Sequence, residues 1–222
     1  MVRFLFLRHG LSVTNKSGCF CGQMDAPLTA EGHVQAEQAA EYICANYKID
    51  AIYSSDLTRV KQTVAPTAKK LNLPITYTKY IREVDVGTWM GHTLDEIKER
   101  EPEKFARYSS GDTSVVLGDG ESFNDVLVRA EKEIKRIACE NDGKTLLIGT
   151  HGGVIRMLCG KWLNLSDVEM RVKYPTNNAA LTVVDFENGV GKIVEFGIDN
   201  YLSNPTIDFS VKDFAPNLKK NK

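Results

Sequence analysis

Short apolar runs typical of strands alternate along this chain with apolar residues spaced as in amphipathic helices. The predicted strands cover residues 2–7, 50–53, 73–77, 145–149, 181–186 and 192–198. Helical spacing runs from Ala36 to Tyr47, from Leu57 to Leu71 and from Phe123 to Ile137, and another helical segment follows His151. This order predicts an α/β fold, a three-layer α/β/α sandwich around a mostly parallel central sheet.

Capping and turn residues refine the predicted elements. Thr29 is a plausible cap for the first helix. Pro66 lies inside the second helix and should kink or split it, because proline clashes with the preceding turn. Glu187-Asn188-Gly189 is typical of a hairpin turn between the last two strands. The glycine-containing region from Ile81 to Gly120 is irregular around a polar helix near 94–101.

Length and charge indicate one domain and do not point to nucleic acid as a partner. The 222 residues carry 28 Lys and Arg against 29 Asp and Glu, mixed along the chain. We expect a single domain over residues 1–222, with a loop-rich specificity insert at about 84–122. The basic residues at 219–222 form a short solvated tail, and no tract indicates nucleic acid as a partner.

Hydropathy and cysteine usage predict a cytoplasmic protein. Only four apolar residues separate Arg3 from Arg8, unlike the layout of a signal peptide. No apolar run approaches the roughly 20 residues that span a bilayer, so no membrane association is expected. The five cysteines are scattered, and Cys19-Phe20-Cys21 lacks the spacer of common zinc or redox pairs. Free thiols are therefore the better interpretation.

Reactive or cationic residues follow three of the predicted strands. Arg8-His9-Gly10 follows the first strand, Arg59 the second and His151 the fourth. Open α/β sheets bind ligands outside the carboxyl ends of their strands. Histidine there can serve as nucleophile, base or metal ligand, and arginine indicates an anionic, phosphorylated substrate. Gly152 opens a helix whose first N–H groups could face that anion.

Six ordered segments of the chain resemble the histidine phosphatase superfamily, which includes the cofactor-dependent phosphoglycerate mutases. They are LRHGLSVTN at 7–15, DAPLTAEG at 25–32, IYSSDLTR at 52–59 with Gln62-Thr63, REVDVGTWMG at 82–91, GES at 120–122 and GTHGGVIR at 149–156. The segment at 82–91 is similar to that of the phosphatase branch, with its α-ribazole phosphatase-like and broad-specificity members. The resemblance implies a phosphoglycerate mutase-like fold.

The resemblance also implies a mechanism. His9 would attack phosphorus and form a phosphohistidine, which requires a neutral imidazole whose other nitrogen donates to a backbone carbonyl. Arg8, Arg59 and His151 would hold the phosphoryl oxygens, with Asn15, Gln23 and Gly152 contributing to substrate binding. The cationic side chains would replace a metal ion, and no cofactor is expected.

The general acid is assigned to Glu83, with Asp85 as the rival. Two carboxylates two residues apart share a face of an extended segment, so their spacing does not choose between them. The family resemblance favours Glu83. It would protonate the leaving alkoxide and then activate water.

The resulting prediction is a metal-independent phosphomonoesterase that acts on a small phosphorylated metabolite. Three alternatives stay open: a phosphoglycerate mutase-type phosphoryl transfer, a non-catalytic phosphate-binding or protein-interaction module, and a metal-dependent hydrolase. Four cations in the insert could support a mutase, namely Lys98, Arg100, Lys104 and Arg107. Trp89 could pack or stack on substrate, and His92 could contact it. Neither the substrate nor the oligomeric state follows from the sequence.

Overall fold

A six-stranded sheet forms the centre of the computed structural model, which describes residues 1–172 and 176–206. Its strands are β1 (Val2–Arg8), β2 (Ala51–Ser55), β3 (Ile75–Thr78), β4 (Thr145–Thr150), β5 (Leu181–Glu187) and β6 (Val190–Ile198). They lie in the order β3-β2-β4-β1-β5-β6. The first four of these run parallel, whereas β5 and β6 pair antiparallel. The predicted mostly parallel sheet is confirmed.

Helices cover both faces of this sheet. They are α1 (Ala30–Asn46), α2 (Thr58–Leu71), α3 (Leu94–Arg100), α4 (Pro102–Ser109), α5 (Phe123–Glu140), α6 (Gly152–Trp162) and α7 (Asp167–Val172). Side chains of a strand alternate between faces. Accordingly Leu5 and Leu7 pack with α1 and α2, whereas Phe4 and Phe6 pack with α5 and α6. This is the predicted three-layer sandwich.

Two local turn predictions are confirmed. The Thr29 hydroxyl caps α1 by accepting a hydrogen bond from the Gly32 N–H at 3.0 Å. Asn188 and Gly189 both have positive φ, 53° and 81°, and connect β5 to β6. Such a pair fits the right-handed twist of the flanking strands.

Pro66 does not split α2, so the split that the sequence allowed is wrong. The helix runs unbroken from Thr58 to Leu71. Pro66 and Gln62, four residues before it, are both half-buried rather than enclosed. The Gln62 carbonyl that loses its helical hydrogen bond therefore lies in a half-exposed part of the helix, where water can replace the missing donor.

Several boundaries differ from the sequence patterns. Strand β3 begins at Ile75, two residues later than predicted, and the helices α4 and α7 were not predicted. Both helices are short, so they contain too few residues to reveal a helical period. Pro102 begins α4, a position where proline costs no helical hydrogen bond.

Three further sequence predictions concern the cysteines, membrane spans and the basic tail. All five cysteines are free thiols. Within residues 1–172 and 176–206, no helix combines the length and apolar character needed to cross a bilayer. The basic tail at 219–222 lies outside the described residues.

Candidate active site

The candidate site lies where β1, β2 and β4 end at the same edge of the sheet. β1 and β4 pair in register up to Arg8 and Thr150, and β2 pairs with β4 up to Ser54. The His9 N–H extends this pairing by donating to the Thr150 carbonyl at 3.0 Å. His9 and His151 thereby lie side by side, with ring centroids 5.2 Å apart.

The backbone around His9 depends on a close approach to α1. A Cβ atom at Gly10 would lie 2.7 Å from the Gly32 carbonyl oxygen, so a side chain cannot be accommodated there. The Gly10 N–H donates to the Thr63 hydroxyl of α2, and the Asn178 amide donates to the His9 carbonyl. The loop after β1 is therefore held by both helices of one layer and by the segment before β5.

Hydrogen bonding sets the tautomer of His9. Its Nδ1 lies 2.8 Å from the Gly10 carbonyl oxygen. A carbonyl can only accept, so Nδ1 carries the proton and Nε2 keeps its lone pair. This neutral tautomer, with its proton directed at a backbone carbonyl, is the one predicted for a histidine nucleophile.

Burial, together with the positive charges of Arg59 and Arg8, holds the pKa of the His9 imidazole well below its usual value. Burial and Arg59 lower the pKa of His151 in the same way. Both rings are neutral in the folded protein, because solvation of the charged form is lost and the neighbouring charges repel a proton.

We expect the free energy of unfolding to fall as the pH drops from 7 to 5.5. The unfolded chain gains protons on both imidazoles near pH 6.5, whereas the native state does not take them up. The loss can reach about 1.4 kcal/mol per pH unit for each ring. Urea unfolding at a series of pH values measures it. His9→Ala should flatten the slope, and an unchanged slope would show that native His9 protonates normally.

Two side chains hold the His151 ring next to His9. It is fully buried. Its Nε2 lies 3.0 Å from the Ser55 hydroxyl and its Nδ1 3.3 Å from Arg59 Nη2. Because a guanidinium can only donate, Nδ1 accepts and Nε2 carries the proton. The ring therefore helps to orient Arg59, and its role in holding the phosphoryl oxygens stays a prediction.

Arg8 and Arg59 place two buried guanidinium groups beside His9. Arg8 Nη1 donates to the Thr176 carbonyl at 2.6 Å. Arg59 donates to the carbonyls of Met24 and Gly22 at 2.7 and 2.8 Å. These backbone partners fix orientation without neutralising charge, so both guanidinium groups can still attract an anion.

Asp25 holds the first turn of α2, which contains Arg59, at the site. Its carboxylate accepts from the N–H and the hydroxyl of Thr58 at 2.7 and 2.8 Å. A carboxylate at a helix N-terminus satisfies a donor that lacks an intrahelical partner. The segment 22–25 thus caps α2 and supplies the carbonyls that orient Arg59.

Glu83 brings a carboxylate into the same site. Its two oxygens accept from the N–H groups of Val84 and Gly153 at 3.0 and 3.1 Å. A Cβ at Gly153 would lie 2.1 Å from Glu83 Oε1, so only glycine permits this contact. One of the N–H groups at the start of α6, that of Gly153, therefore binds Glu83.

Asp85 lies apart from this arrangement. Its Oδ1 accepts from the Gly87 N–H at 3.0 Å, and its backbone pairs with Glu121. Glu83 lines the cavity in front of His9, whereas Asp85 does not. The geometry therefore favours Glu83 as the proton donor.

The cavity in front of His9 has a volume of about 200 Å³. Its polar lining includes Arg8, Thr14, Asn15, Arg59, Glu83 and Arg156. Drug-sized ligands occupy roughly 300–1,000 Å³, so this cavity suits a small metabolite. In the described part of the chain, no group of three or more His, Cys, Asp or Glu is placed to hold a metal ion.

A sequence profile of the histidine phosphatase superfamily, branch 1, matches residues 4–199. The chain belongs to the histidine phosphatase superfamily. It is 31% identical to a metal-independent phosphoserine phosphatase of Arabidopsis thaliana, covering 75% of this chain and 74% of that protein. It is 35% identical to a bifunctional protein of Mycobacterium tuberculosis, covering 70% of this chain and 43% of that protein. It thus spans less than half of that relative's length.

Solved structures share the fold of this histidine phosphatase. YhfR of Bacillus stearothermophilus matches with a TM-score of 0.85 at 25% identity, covering 91% of this chain and all of that one. A phosphoserine phosphatase mutant of Entamoeba histolytica in complex with phosphoserine matches with a TM-score of 0.80 at 25% identity over the same shares. An α-ribazole phosphatase of Shigella flexneri, at 21% identity and a TM-score of 0.78, shares the fold.

Three residues predicted to bind substrate take different positions in this histidine phosphatase. Asn15 lines the cavity, and its Oδ1 accepts from Ser12 at 2.9 Å. The Gln23 side chain instead donates to the Glu83 carbonyl and accepts from Arg82. A Cβ at Gly152 would lie 3.2 Å from Arg8 Nε, so this glycine lets Arg8 pack against α6.

The insert contributes walls to the cavity rather than further phosphate-binding cations. Trp89 is fully buried, donates to Glu101 and packs against Phe20, so it packs rather than lining the cavity. His92 lies 2.7 Å from Arg100 and does not line the cavity. The four cations considered for a mutase also lie outside the lining: Lys98, Arg100, Lys104 and Arg107.

Sequence reasoning missed the residues that act through backbone contacts. Arg129 donates to the carbonyls of Glu83 and Tyr80 and binds the Glu121 carboxylate, thereby tying the segment of Glu83 to α5. Ser55 and Asn178 orient His151 and the loop of His9. Their partners are distant in sequence, so spacing alone carries no signal for them.

Proposed function

We propose that this histidine phosphatase is a metal-independent phosphomonoesterase that acts through a phosphohistidine on a small phosphorylated metabolite. The observation that carries the proposal is the cavity in which neutral His9, two guanidinium groups and the Glu83 carboxylate meet. The relatives named as phosphoserine phosphatases support the same class of reaction.

The reaction proceeds in two displacements at phosphorus. His9 Nε2 attacks in line, and the phosphorus–oxygen bond to the alcohol breaks while Glu83 donates its proton to the leaving oxygen. Arg8 and Arg59 stabilise the charge that spreads over the phosphoryl oxygens. Water then attacks the phosphohistidine, gives its proton to Glu83 and releases inorganic phosphate.

The positions of the insert cations favour hydrolysis over a mutase reaction. Arg100, Lys104 and Arg107 bind His92, the Gly118 carbonyl and Asp112 respectively. None of them lines the cavity. A mutase retains a doubly phosphorylated intermediate, for which a second cluster of phosphate-binding cations would be expected.

Hydrolysis of a phosphomonoester should survive incubation with a strong chelator followed by its removal. The cationic side chains and not a metal neutralise the phosphoryl group in the proposed mechanism. Release of inorganic phosphate from p-nitrophenyl phosphate, before and after treatment, measures this. Activity that disappears with chelator and returns with zinc or magnesium would establish the metal-dependent alternative.

A further inference from the structure

Arg156 contributes to the cavity, although the proposed mechanism assigns it no role. It lies on α6, and its side chain lines the cavity together with His9 and Glu83. The cavity lining thus contains three arginines and one carboxylate. Arg8 and Arg59 match the two charges of a phosphate dianion, and Glu83 is assigned to proton transfer in the proposed mechanism. A third cation in the lining suits a second anionic group on the substrate.

The position of Arg156 on α6 places it close to the phosphate site. Gly152 contacts Arg8, and the Gly153 N–H binds Glu83, so the first turn of α6 borders the phosphate site. Arg156 follows Gly152 by four residues, so both lie on the same face. That spacing is one turn, about 6 Å along the axis. A substrate that reaches both ends needs only a few atoms between its anionic groups.

Packing orients the guanidinium of Arg156. Its central carbon lies 6.0 Å from the centre of the Phe123 ring, at the start of α5. A guanidinium over an aromatic ring at this distance is attracted by the ring, so Phe123 helps to hold Arg156 at the cavity. Planar N–H groups match the two oxygens of a carboxylate.

The cavity also contains an apolar wall. Phe20, Val84, Val86, Leu94, Leu117 and Phe123 all line it. An apolar wall holds a short carbon skeleton without offering hydrogen bonds to hydroxyl groups, which disfavours sugar phosphates. The volume of about 200 Å³ also disfavours large substrates.

We propose that Arg156 binds a carboxylate at the non-reacting end of the substrate, so that the preferred substrates are short phosphorylated carboxylic acids. This inference deepens the proposed phosphatase function and rests on it for turnover. Arg156 does not touch the reacting phosphorus in this scheme. It determines specificity by distinguishing substrates with a second anion from those without one.

Two pairs of substrates isolate the carboxylate. 3-Phosphoglycerate differs from glycerol 3-phosphate by a carboxylate in place of a hydroxymethyl group, and phosphoserine differs from phosphoethanolamine by a carboxylate in place of hydrogen. In each pair the ratio of kcat/KM values should favour the carboxylate. Arg156→Met should reduce this ratio roughly 10- to 100-fold, the scale of a charge-assisted hydrogen bond.

Matched variants separate this effect from folding and from general electrostatic attraction. Arg156→Lys keeps the charge and should retain more of the ratio than Arg156→Met. Lys161→Met removes one positive charge from the same helix, where Lys161 binds Glu131 away from the cavity, and should leave the ratio unchanged. Partial unfolding of a variant lowers the apparent kcat/KM of both substrates by the same factor, so the ratio of the two values does not change.

A binding measurement separates failure of this inference from failure of the proposed function. Calorimetry on His9→Ala should give the same preference for 3-phosphoglycerate over glycerol 3-phosphate, and Arg156→Met in that background should remove it. An enzyme that hydrolyses p-nitrophenyl phosphate but shows equal ratios with and without Arg156 overturns the carboxylate site alone. In the opposite case, the protein hydrolyses no phosphomonoester and still loses its binding preference for 3-phosphoglycerate in Arg156→Met. That result would support the carboxylate site and overturn the proposed phosphatase function.

Discussion

Replacing His9 with alanine should lower kcat by at least about a thousandfold, the scale on which loss of a covalent nucleophile acts. His9 is the cavity-lining histidine in the described part of the chain whose Nε2 is left with its lone pair by the bond to Gly10. Turnover and the acid-labile phosphoenzyme should therefore disappear together. Quenched reactions with ³²P-labelled substrate, combined with steady-state kinetics, measure both.

His33→Ala serves as the control for this experiment. His33 lies exposed on α1 and is not among the residues that line the cavity, and its replacement also removes an imidazole. It should leave both turnover and phosphoenzyme intact. A His9→Ala enzyme that still traps phosphate on a histidine would transfer the nucleophilic role to His151, despite its full burial.

Replacing Glu83 with glutamine should slow hydrolysis of an alkyl phosphate by about a hundredfold or more, the usual contribution of a general acid. An alkoxide is a strongly basic leaving group, whereas p-nitrophenolate departs with little protonation. Hydrolysis of p-nitrophenyl phosphate should therefore suffer less. The ratio of kcat/KM for the two substrates, in Glu83→Gln and in the unaltered enzyme, measures the dependence on the leaving group.

Asp85→Asn is the matched control for Glu83→Gln, because both change a carboxylate to an amide. The amide side chain introduced by Asp85→Asn retains an oxygen that can accept from the Gly87 N–H, so the turn should persist. The leaving-group dependence of this variant should equal that of the unaltered enzyme. Burst kinetics identify the case in which breakdown of the phosphoenzyme limits Glu83→Gln. Leaving-group sensitivity in the Asp85 variant alone would contradict the assignment of Glu83.

The unbroken helix at Pro66 shows that tertiary packing can override the tendency of proline to break a helix. Proline opposes a helix through one lost hydrogen bond and one steric clash. Val60 and Val64 bury the inner face of α2 against the sheet and Asp25 caps its start, so tertiary contacts hold the helix together on both sides of Pro66. A propensity of a few kcal/mol yields to packing of this extent.

The sequence by itself determined the order of the strands and of the helices other than α4 and α7, the family and the set of residues His9, Arg8, Arg59 and His151. These follow from patterns that are local: apolar periodicity, turn residues and motifs at the ends of strands. Spacing alone did not separate Glu83 from Asp85, since both belong to one extended segment, and only the family resemblance favoured Glu83.

Only the tertiary structure decided which carboxylate reaches the cavity, that the Gly153 N–H binds Glu83, and that His151 contacts Arg59. It also brought Arg156 into the cavity. Each of these depends on contacts between residues far apart in the chain, where a hydrogen bond forms only after the elements have packed. The sequence pattern does not predict the distances between such residues, because the sheet edge and the helices around it determine them.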